Sequence, residues 1–413
     1  MSPAVASLVA LLAAILISFA SRINVGLIAI PLAWAVGTFA GRAPDAIVSG
    51  FPTFLFVTLA GVTLLFALAE SNGTIGALSA RLASLAGGRP RLLPPLMFVA
   101  ACAVSTAGPG AIPAVALMAP LAFAMAPAAS VPPFLTALMV ANGANAGNLS
   151  PLSAVGIIAN SRMEIAGLGG HEWKVWFANF FVHALVAGAA YAVMARGIRA
   201  DQASDIETTL APLTASQGWT VAAIAGWIVA VVALEAPLAL SAFAAAALII
   251  AGRLAEERAA ILAMPWSAIL MVCGVSMLVV TAERAGGMDL FTSLLATLAT
   301  PSTVNGVIAF VTGAISSASS TSGVVLPTFL PTAPGLVEQV GGGDPLAVAL
   351  SINVGSSLVD VSPLSTIGAI CVAAMSGAAA ARDLFRRMLL WGLSMIVVGA
   401  LLCQVLAGWF ARL

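Results

Sequence analysis

Charged side chains are scarce in this sequence. Asp, Glu, Lys and Arg make up 8% of its 413 residues, against about 25% in an ordinary soluble domain. Basic and acidic residues balance to a net charge of zero, and Lys174 is the single lysine, so the chain has no basic patch that could hold nucleic acid electrostatically. A hydrophobic content of 61% instead predicts a polytopic membrane protein without a soluble domain.

Cysteine and histidine are also sparse. The four cysteines, Cys102, Cys273, Cys371 and Cys403, lie inside apolar segments at unrelated spacings, and there are two histidines. This pattern predicts neither a disulfide framework nor a metal site held by these residues. With no histidine cluster and no activated nucleophile, we do not expect an enzyme, and covalent chemistry in the membrane is the weakest alternative.

Long apolar runs fill most of the chain. Since a membrane span needs roughly 20 apolar residues, the sequence predicts ten spans, near 3–20, 23–41, 51–70, 131–160, 173–196, 217–234, 236–252, 264–283, 345–376 and 384–411. Nothing basic precedes the first segment, which favours a retained span over a cleaved signal peptide. Two further stretches, 92–127 and 304–336, carry Gly, Pro, Ser and Thr at their centres and are interpreted as re-entrant hairpins.

Two predicted spans carry the same interruption. Residues 142–156 read Asn-Gly-Ala-Asn-Ala-Gly-Asn-Leu-Ser-Pro-Leu-Ser-Ala-Val-Gly, and residues 354–368 read Val-Gly-Ser-Ser-Leu-Val-Asp-Val-Ser-Pro-Leu-Ser-Thr-Ile-Gly. Both keep a Gly, six residues, Ser-Pro-Leu-Ser, two residues and a Gly. Backbone leaves a helix at membrane depth only where protein or a water-filled cavity satisfies it. We therefore expect both spans to be broken, and the breaks to form a binding site.

The repeat extends along the whole chain. Equivalent residues recur at offsets of 212 to 214 positions, in the pairs Pro52 and Pro265, Gly61 and Gly274, Glu70 and Glu283, Phe98 and Phe310, Gly143 and Gly355, Ser150 and Ser362, Pro113 and Pro327, and Pro120 and Pro334. The first half would be 1–196, the linker 197–216 and the second half 217–413. Each half holds five spans, one of them broken, and one re-entrant hairpin. Because five crossings are odd, the halves should be inverted relative to each other.

The basic residues predict an orientation. One side of the membrane would hold eleven of them, Arg22, Arg81, Arg89, Arg91, Arg196, Arg199, Arg253, Arg258, Arg382, Arg386 and Arg387, and the other five, Arg42, Arg162, Lys174, Arg284 and Arg412. By the positive-inside rule the first side is cytoplasmic. The linker is then cytoplasmic and both termini face outside the inner (plasma) membrane.

The hairpins and breaks together predict a site for an anion and a cation. Four helix starts would approach the membrane midplane, each with a partial positive charge of about half a unit, and such starts bind anions. No Arg or Lys lies in 92–161 or 304–337, so hydroxyls, amides and dipoles would hold the anion. Asp360, which aligns with Asn148, is a candidate cation or proton site. Alternatively, Asp360 caps a half-helix, and the small polar residues serve helix packing.

The motif from Asn142 to Ala159, Gly-Ala-Asn-Ala-Gly followed by Ser-Pro and Gly-Ile-Ile-Ala, resembles the MatC-type dicarboxylate carriers. More broadly, the two-hairpin inverted repeat is similar to the ion transporter superfamily with its divalent-anion:sodium symporters. The resemblance implies a homodimer whose hairpins and broken spans move as an elevator, with substrate and sodium between tips and breaks. That family marks its hairpin tips with Ser-Asn-Thr, whereas this chain has Ser105-Thr106 and Ser320-Thr321, so sodium and protons both remain candidate coupling ions.

The resemblance places the functional residues at the tips and breaks. Those expected to bind substrate are Ser105, Thr106, Asn142, Asn145, Ser150, Ser320, Thr321, Asn353 and Ser362. Those expected to bind the coupling ion are Ser105, Gly108, Asn145, Asn148, Ser322, Ser356, Ser357 and Asp360.

These observations lead to the hypothesis of a secondary active transporter. It would take up a small organic anion, a dicarboxylate resembling malonate or succinate, coupled to Na⁺ or H⁺. The alternatives are the membrane subunit of a tripartite carrier, which needs a soluble binding protein, and a Na⁺/H⁺ antiporter of the same superfamily. A channel is less consistent with an occluded, broken-helix site.

Overall fold

The computed structural model describes residues 2–21, 23–84, 89–127, 130–198, 212–234, 236–264, 266–317, 320–375 and 377–413. Within these ranges the chain is helical and contains no strand. Arg22, Arg199, Ser319 and most of the predicted linker, residues 199–211, lie outside the described residues.

Ten α-helices precede the linker region. They are α1 (Pro3–Ser21), α2 (Val25–Phe39), α3 (Pro44–Val48), α4 (Thr53–Ser71), α5 (Thr74–Ser84), α6 (Leu93–Ala107), α7 (Ala111–Met125), α8 (Pro133–Gly147), α9 (Ala154–Ile165) and α10 (Glu172–Met194). Short 3₁₀ turns at Pro90–Leu92 and Ala195–Gly197 adjoin α6 and α10.

Eleven α-helices follow the linker region in the described ranges. They are α11 (Ala215–Ala233), α12 (Leu238–Ala251), α13 (Glu257–Ala263), α14 (Trp266–Arg284), α15 (Gly287–Ala296), α16 (Val304–Ser316), α17 (Leu326–Phe329), α18 (Ala333–Val340), α19 (Pro345–Leu358), α20 (Thr366–Ala373) and α21 (Ala378–Arg412). A π-turn at Thr321–Val325 and 3₁₀ turns at Leu330–Thr332 and Val359–Val361 join neighbouring helices.

The helices break at glycine and proline, as the pattern predicts. Between α6 and α7, Gly108 has φ 149° and Gly110 φ 83°. A Cβ on Gly108 would lie 1.8 Å from the Phe66 ring, so both the backbone conformation and the space require glycine there. The breaks before α9 and α20 use glycine for close approach, because a Cβ on Gly156 or Gly368 would meet a serine carbonyl oxygen at 1.8 or 2.3 Å.

Helix packing brings both interrupted segments into the core. Helix α8 packs against α6 and α10, and α19 packs against α16, α21 and α10. Helices α7 and α8 also contact α20, and α9 contacts α4 and α17. Helix α10 therefore lies against both α8 and α19, and the segments that follow these two helices meet in the same region.

The described residues test the predicted spans only in part. Four segments of the described chain are long and apolar enough to cross a membrane: Pro90–Ala107, Glu172–Met194, Pro345–Ala373 and Ala379–Arg412. Two bent pairs bring the number to six: Ile269–Arg284 with Gly287–Leu294, bent by 90°, and Val304–Ser316 with Thr321–Val340, bent by 120°. Six further apolar stretches of 10–17 described residues lie within α1, α2, α4, α7, α11 and α12. Hydropathy alone does not show where the backbone turns. The ten spans, the hairpin topology and the inverted repeat therefore stay predictions.

Arg162 occupies a different environment from the one expected. The sequence places it among the basic residues that flank the spans, but in the structure its side chain is 2% exposed. It lies on the buried face of α9, with Ile158 and Ala159. A count of basic residues cannot separate a surface arginine from a buried one, because both lie near the end of an apolar segment.

Candidate functional site

A polar cavity of about 240 Å³ lies where the second hairpin tip meets the two helix breaks. Its polar lining comes from both halves of the sequence, and is formed by Asn148, Ser320, Thr321, Ser322, Asp360, Ser365 and Thr366. Ile112, Val155, Leu364 and Ile367 complete the lining. The volume suits a small organic acid, since pockets for drug-sized ligands measure roughly 300–1,000 Å³.

Four helical segments begin at this cavity. Ile112 belongs to the first turn of α7 and Val155 to that of α9, while Thr321 and Thr366 open the segment Thr321–Val340 and helix α20. Helix N-termini carry unpaired N–H groups and about half a positive charge each. Backbone dipoles at these four starts therefore contribute positive potential to the cavity.

Asp360 is the single ionisable residue of this lining, and it accepts hydrogen bonds from both walls. The hydroxyl of Thr321 lies 2.8 Å from each carboxylate oxygen, and the hydroxyl of Ser365 lies 3.2 Å from Oδ1. Ser316, at the end of α16, bonds to the Thr321 hydroxyl. Asp360 is 6% exposed, so its carboxylate ties the tip of the second hairpin to the start of α20.

Asn148, which the predicted repeat aligns with Asp360, also contacts the start of a helix. Its Oδ1 accepts a hydrogen bond of 2.9 Å from the N–H of Ala111, the first residue of α7. Its main-chain oxygen accepts the hydroxyl of Ser153. The neutral amide of Asn148 thus caps the start of α7 in the first predicted hairpin. At the second predicted hairpin, the ionisable carboxyl group of Asp360 contacts the tip residue Thr321.

The two equivalent serines of the breaks make different contacts. Ser153 caps its own helix, because its Oγ accepts the N–H of Gly156 at 3.0 Å. Ser365 instead donates to Asp360 and makes no capping hydrogen bond to α20. The first-turn N–H groups at Thr366 and Ile367 consequently lie beside the cavity without a side-chain cap, which is an arrangement that favours an anionic ligand.

Other predicted site residues form a buried polar layer around α10. Asn142 contacts His183, with 3.1 Å between Oδ1 and Nδ1, as expected for an interhelical hydrogen bond. Asn179 donates to the Asn145 carbonyl oxygen at 2.6 Å and accepts the Ser357 hydroxyl at 3.1 Å. Through Asn179, helix α10 links α8 to α19. The sequence analysis missed Asn179, although a buried Asn in an apolar helix is itself a signal.

Five other predicted residues make hydrogen bonds to nearby backbone groups or to a neighbouring helix. Ser150 and Ser362 accept N–H groups two residues on, at 3.2 and 3.3 Å. Ser356 donates to Ile352 at 2.6 Å, and Thr106 accepts the Trp176 indole N–H at 3.3 Å. The Gly108 carbonyl accepts the N–H of Ala154 at 3.3 Å. None of these five lines the polar cavity.

Several buried polar atoms have no hydrogen-bond partner among the described residues. They include Ser105 Oγ, Asn353 Oδ1, and both Oδ1 and Nδ2 of Asn145. The side chains of Ser105, Asn145 and Asn353 are 0% exposed. Buried polar atoms are normally satisfied, and hydroxyl and amide oxygens are ligands for hard cations. Ser105, Asn145 and Asn353 lie on α6, α8 and α19. The described ranges contain no group of three or more His, Cys, Asp or Glu side chains that could hold a metal ion.

Comparison with known families identifies the N-terminal part of the chain. Residues 1–148 match the model for the N-terminus of the dicarboxylate carrier protein MatC. The match ends at Asn148, on the edge of the first break. A sequence comparison with curated proteins finds no match.

Two solved transporters have a similar fold. The YdaH transporter of Alcanivorax borkumensis superposes with a TM-score of 0.57 at 17% identity, over 88% of this chain and 87% of that one. MtrF of Neisseria gonorrhoeae, described with a class of antimetabolite efflux pumps, superposes with a TM-score of 0.53 at 14% identity, over 87% of this chain and 82% of that one. Identities this low show a shared fold alone.

The resemblance to MatC-type carriers is confirmed over residues 1–148. The chain is a multi-pass membrane protein that shares the fold of these two solved proteins.

Proposed function

We propose that this chain, whose first 148 residues carry the N-terminal pattern of the dicarboxylate carrier MatC, is a secondary active transporter that takes up a small dicarboxylate. The substrate would bind in the cavity between the second hairpin tip and the two breaks. One carboxylate would dock at the uncapped start of α20, and the hydroxyls of Ser320 and Ser322 would orient the rest.

One observation carries the proposal. The cavity has four helix starts and several hydroxyls around it, yet its charged lining consists of one acidic residue and no basic one. An ionised Asp360 about 4 Å from a substrate carboxylate would repel it by about 4 kcal/mol at an effective dielectric constant of about 20. That corresponds to a roughly thousandfold loss of affinity. A proton or Na⁺ at Asp360 removes the repulsion, so anion binding and cation binding become coupled.

Uptake by purified protein in liposomes tests the proposal. Labelled succinate and malonate are offered under an inward Na⁺ gradient, under an inward H⁺ gradient in choline, and without a gradient. Accumulation that requires either gradient supports the carrier and identifies the coupling ion. Absence of accumulation under both gradients, with exchange also absent, contradicts it.

A Na⁺/H⁺ antiporter is the second candidate, because Asp360 is a single carboxyl group at the meeting point of the two breaks. Its expected result is Na⁺-driven proton movement without any organic anion, read from a pH-sensitive dye inside the same liposomes. A tripartite carrier predicts no uptake by the chain alone and uptake once a soluble binding protein is added. A channel predicts non-saturating conductance without counterflow.

The transport movement is part of the proposal. We propose an elevator-type movement of hairpins and breaks within a homodimer, which the resemblance in the first half suggests. Crosslinking in native membranes would test the dimer. Inward- and outward-facing accessibility of a cysteine placed at Ser322, in an otherwise cysteine-free chain, would test the movement.

A further inference from the structure

Arg162 is a buried cation that the proposed carrier mechanism does not use. It is 2% exposed, and its Nε and Nη2 atoms have no hydrogen-bond partner in the described part of the chain. The one ion pair found there joins Arg387 to Asp383. Glu283 is near enough to interact electrostatically, but it is exposed and makes no ion pair within 4.0 Å. Two buried donors of a charged group that lack partners are strongly unfavourable.

Arg162 lies on the same face of α9 as residues that line the proposed substrate cavity. Val155 lines the polar cavity, and Val155 and Ile158 line a second cavity of about 110 Å³ with an apolar wall that includes Leu59 and Ile269. Residues three and four apart share a helix face, so Arg162 lies one turn beyond Ile158, about 6 Å along the axis. Helical side chains lean toward the N-terminus, which on α9 is the end at the two cavities.

Helix α14 contributes to the wall of the same second cavity. Ile269 lines the second cavity, and Cys273, one turn further, lies within electrostatic reach of the Arg162 guanidinium. Ser276 comes two turns after Ile269 on the same face. It is 0% exposed, and its hydroxyl also lacks a partner among the described residues. Two unpartnered polar side chains therefore follow the apolar cavity on α9 and α14.

We propose that Arg162, with Ser276, forms a second carboxylate-binding station, reached from the polar cavity through the apolar one. Nε and Nη2 are adjacent donors on one edge of the guanidinium, and this edge binds a carboxylate through two parallel hydrogen bonds. The occupant is a carboxylate group of the transported anion on its way between the polar cavity and the side of the protein where α9 and α14 end. The identity of that anion rests on the proposed function, whereas the station itself predicts carboxylate binding whether or not uptake is coupled.

Thermal unfolding and counterflow test the station with succinate as the probe. Arg162→Met replaces the cation with an apolar chain of similar length, and Arg162→Lys keeps the charge but loses the fork. Without ligand, Arg162→Met should unfold at or above the wild-type temperature, because it removes a buried unpaired charge. Succinate, against chloride at equal ionic strength and equal Na⁺, should raise the wild-type Tm. We expect Arg162→Met to need at least about tenfold more succinate for the same shift, and Arg162→Lys to fall between.

The two proposals fail differently in these assays. Equal succinate titrations of Tm, and equal counterflow KM values, in wild type and Arg162→Met would overturn the station and leave the carrier intact. A wild-type protein that binds succinate through Arg162 but never accumulates it would contradict the carrier alone. A wild-type Tm that responds to no carboxylate would overturn the station as well. An Arg162→Met protein that unfolds well below wild type without ligand would show a structural arginine and also overturn it.

Discussion

Replacing Asp360 by Asn is the sharpest test of coupling, because it removes the one ionisable group of the cavity lining and little else. Asn148 occupies the equivalent position in the first half, so an amide is compatible with the local backbone. The Asn oxygen can still accept the Thr321 hydroxyl, which lies 2.8 Å from both carboxylate oxygens. We therefore expect the variant to fold and to keep the cavity.

The expected loss of accumulation follows from the single carboxyl group, that of Asp360, in the cavity lining. One cation coupled through Asp360 under a tenfold inward gradient supplies about 1.4 kcal/mol, and so about tenfold accumulation without a membrane potential. Asp360→Asn should reduce the accumulation ratio to about one. At the same time, removal of the repulsion estimated at about 4 kcal/mol should make succinate binding independent of Na⁺ and of pH.

The assay compares gradient-driven uptake with counterflow in the same proteoliposomes. Counterflow needs binding and translocation but no cation gradient, so we expect Asp360→Asn to retain it while net accumulation is lost. Asn148→Asp, which places a carboxyl group at the equivalent position, is the matched variant and should weaken succinate binding. Wild-type accumulation by Asp360→Asn would refute the coupling role. Loss of both accumulation and counterflow in a folded variant would show instead that Asp360 is needed for movement or binding.

Three further substitutions, one of them with a matched control, give separate expectations. Thr321→Val removes the hydroxyl that donates to both oxygens of Asp360, a contact to a charged group worth about 1.5–3 kcal/mol. Because that bond stabilises the carboxylate without its cation, its loss should lower the cation concentration for half-maximal uptake by about 10- to 100-fold, whereas equal cation titrations would show that the bond is unimportant. Gly108→Ala places a Cβ on a glycine-only backbone conformation and against the Phe66 ring, and should lower the free energy of unfolding by about 2–6 kcal/mol. The control is Gly41→Ala, where φ is 72° and the surrounding space is open. In the same denaturation measurement it should cost about 1 kcal/mol. Asn179→Ala removes the two hydrogen bonds that link α10 to α8 and α19. Because the Asn145 carbonyl keeps the Asn148 N–H and the Ser357 hydroxyl keeps the Asn353 carbonyl, stability should fall by about 1–3 kcal/mol, and an unchanged Tm would contradict a bridging role for α10.

Much of the site could be predicted because helix-breaking residues and an ionisable residue in an apolar segment can each be recognised from neighbouring sequence. Glycine and Ser-Pro steps interrupt helices through backbone sterics, so the repeated motif locates the segments between α8 and α9 and between α19 and α20. Asp360 stands out because an ionisable residue in an apolar segment costs folding free energy, and such a residue is usually kept for a function. These features depend on a few neighbouring residues, and a sequence displays them directly.

Other parts of the site depend on which helices become neighbours. Nothing in the spacing distinguishes Ser153, which caps its own helix, from Ser365, which donates to Asp360. The approach of α20 to α7 and α8 decides that Thr366 and Ile367 line the cavity, while α10 brings Asn179 to both breaks.

The sequence by itself determined the class of protein, the places where its helices break and the acidic residue at one break, because composition and short-range backbone preferences set all three. Only the tertiary structure decided which polar residues share a cavity, which stay in the packed layer behind it, and that Arg162 is buried rather than flanking. Those outcomes arise from contacts between residues far apart in the chain. The free energy of burying a charge or leaving a hydrogen bond unmade depends on such contacts and not on sequence position.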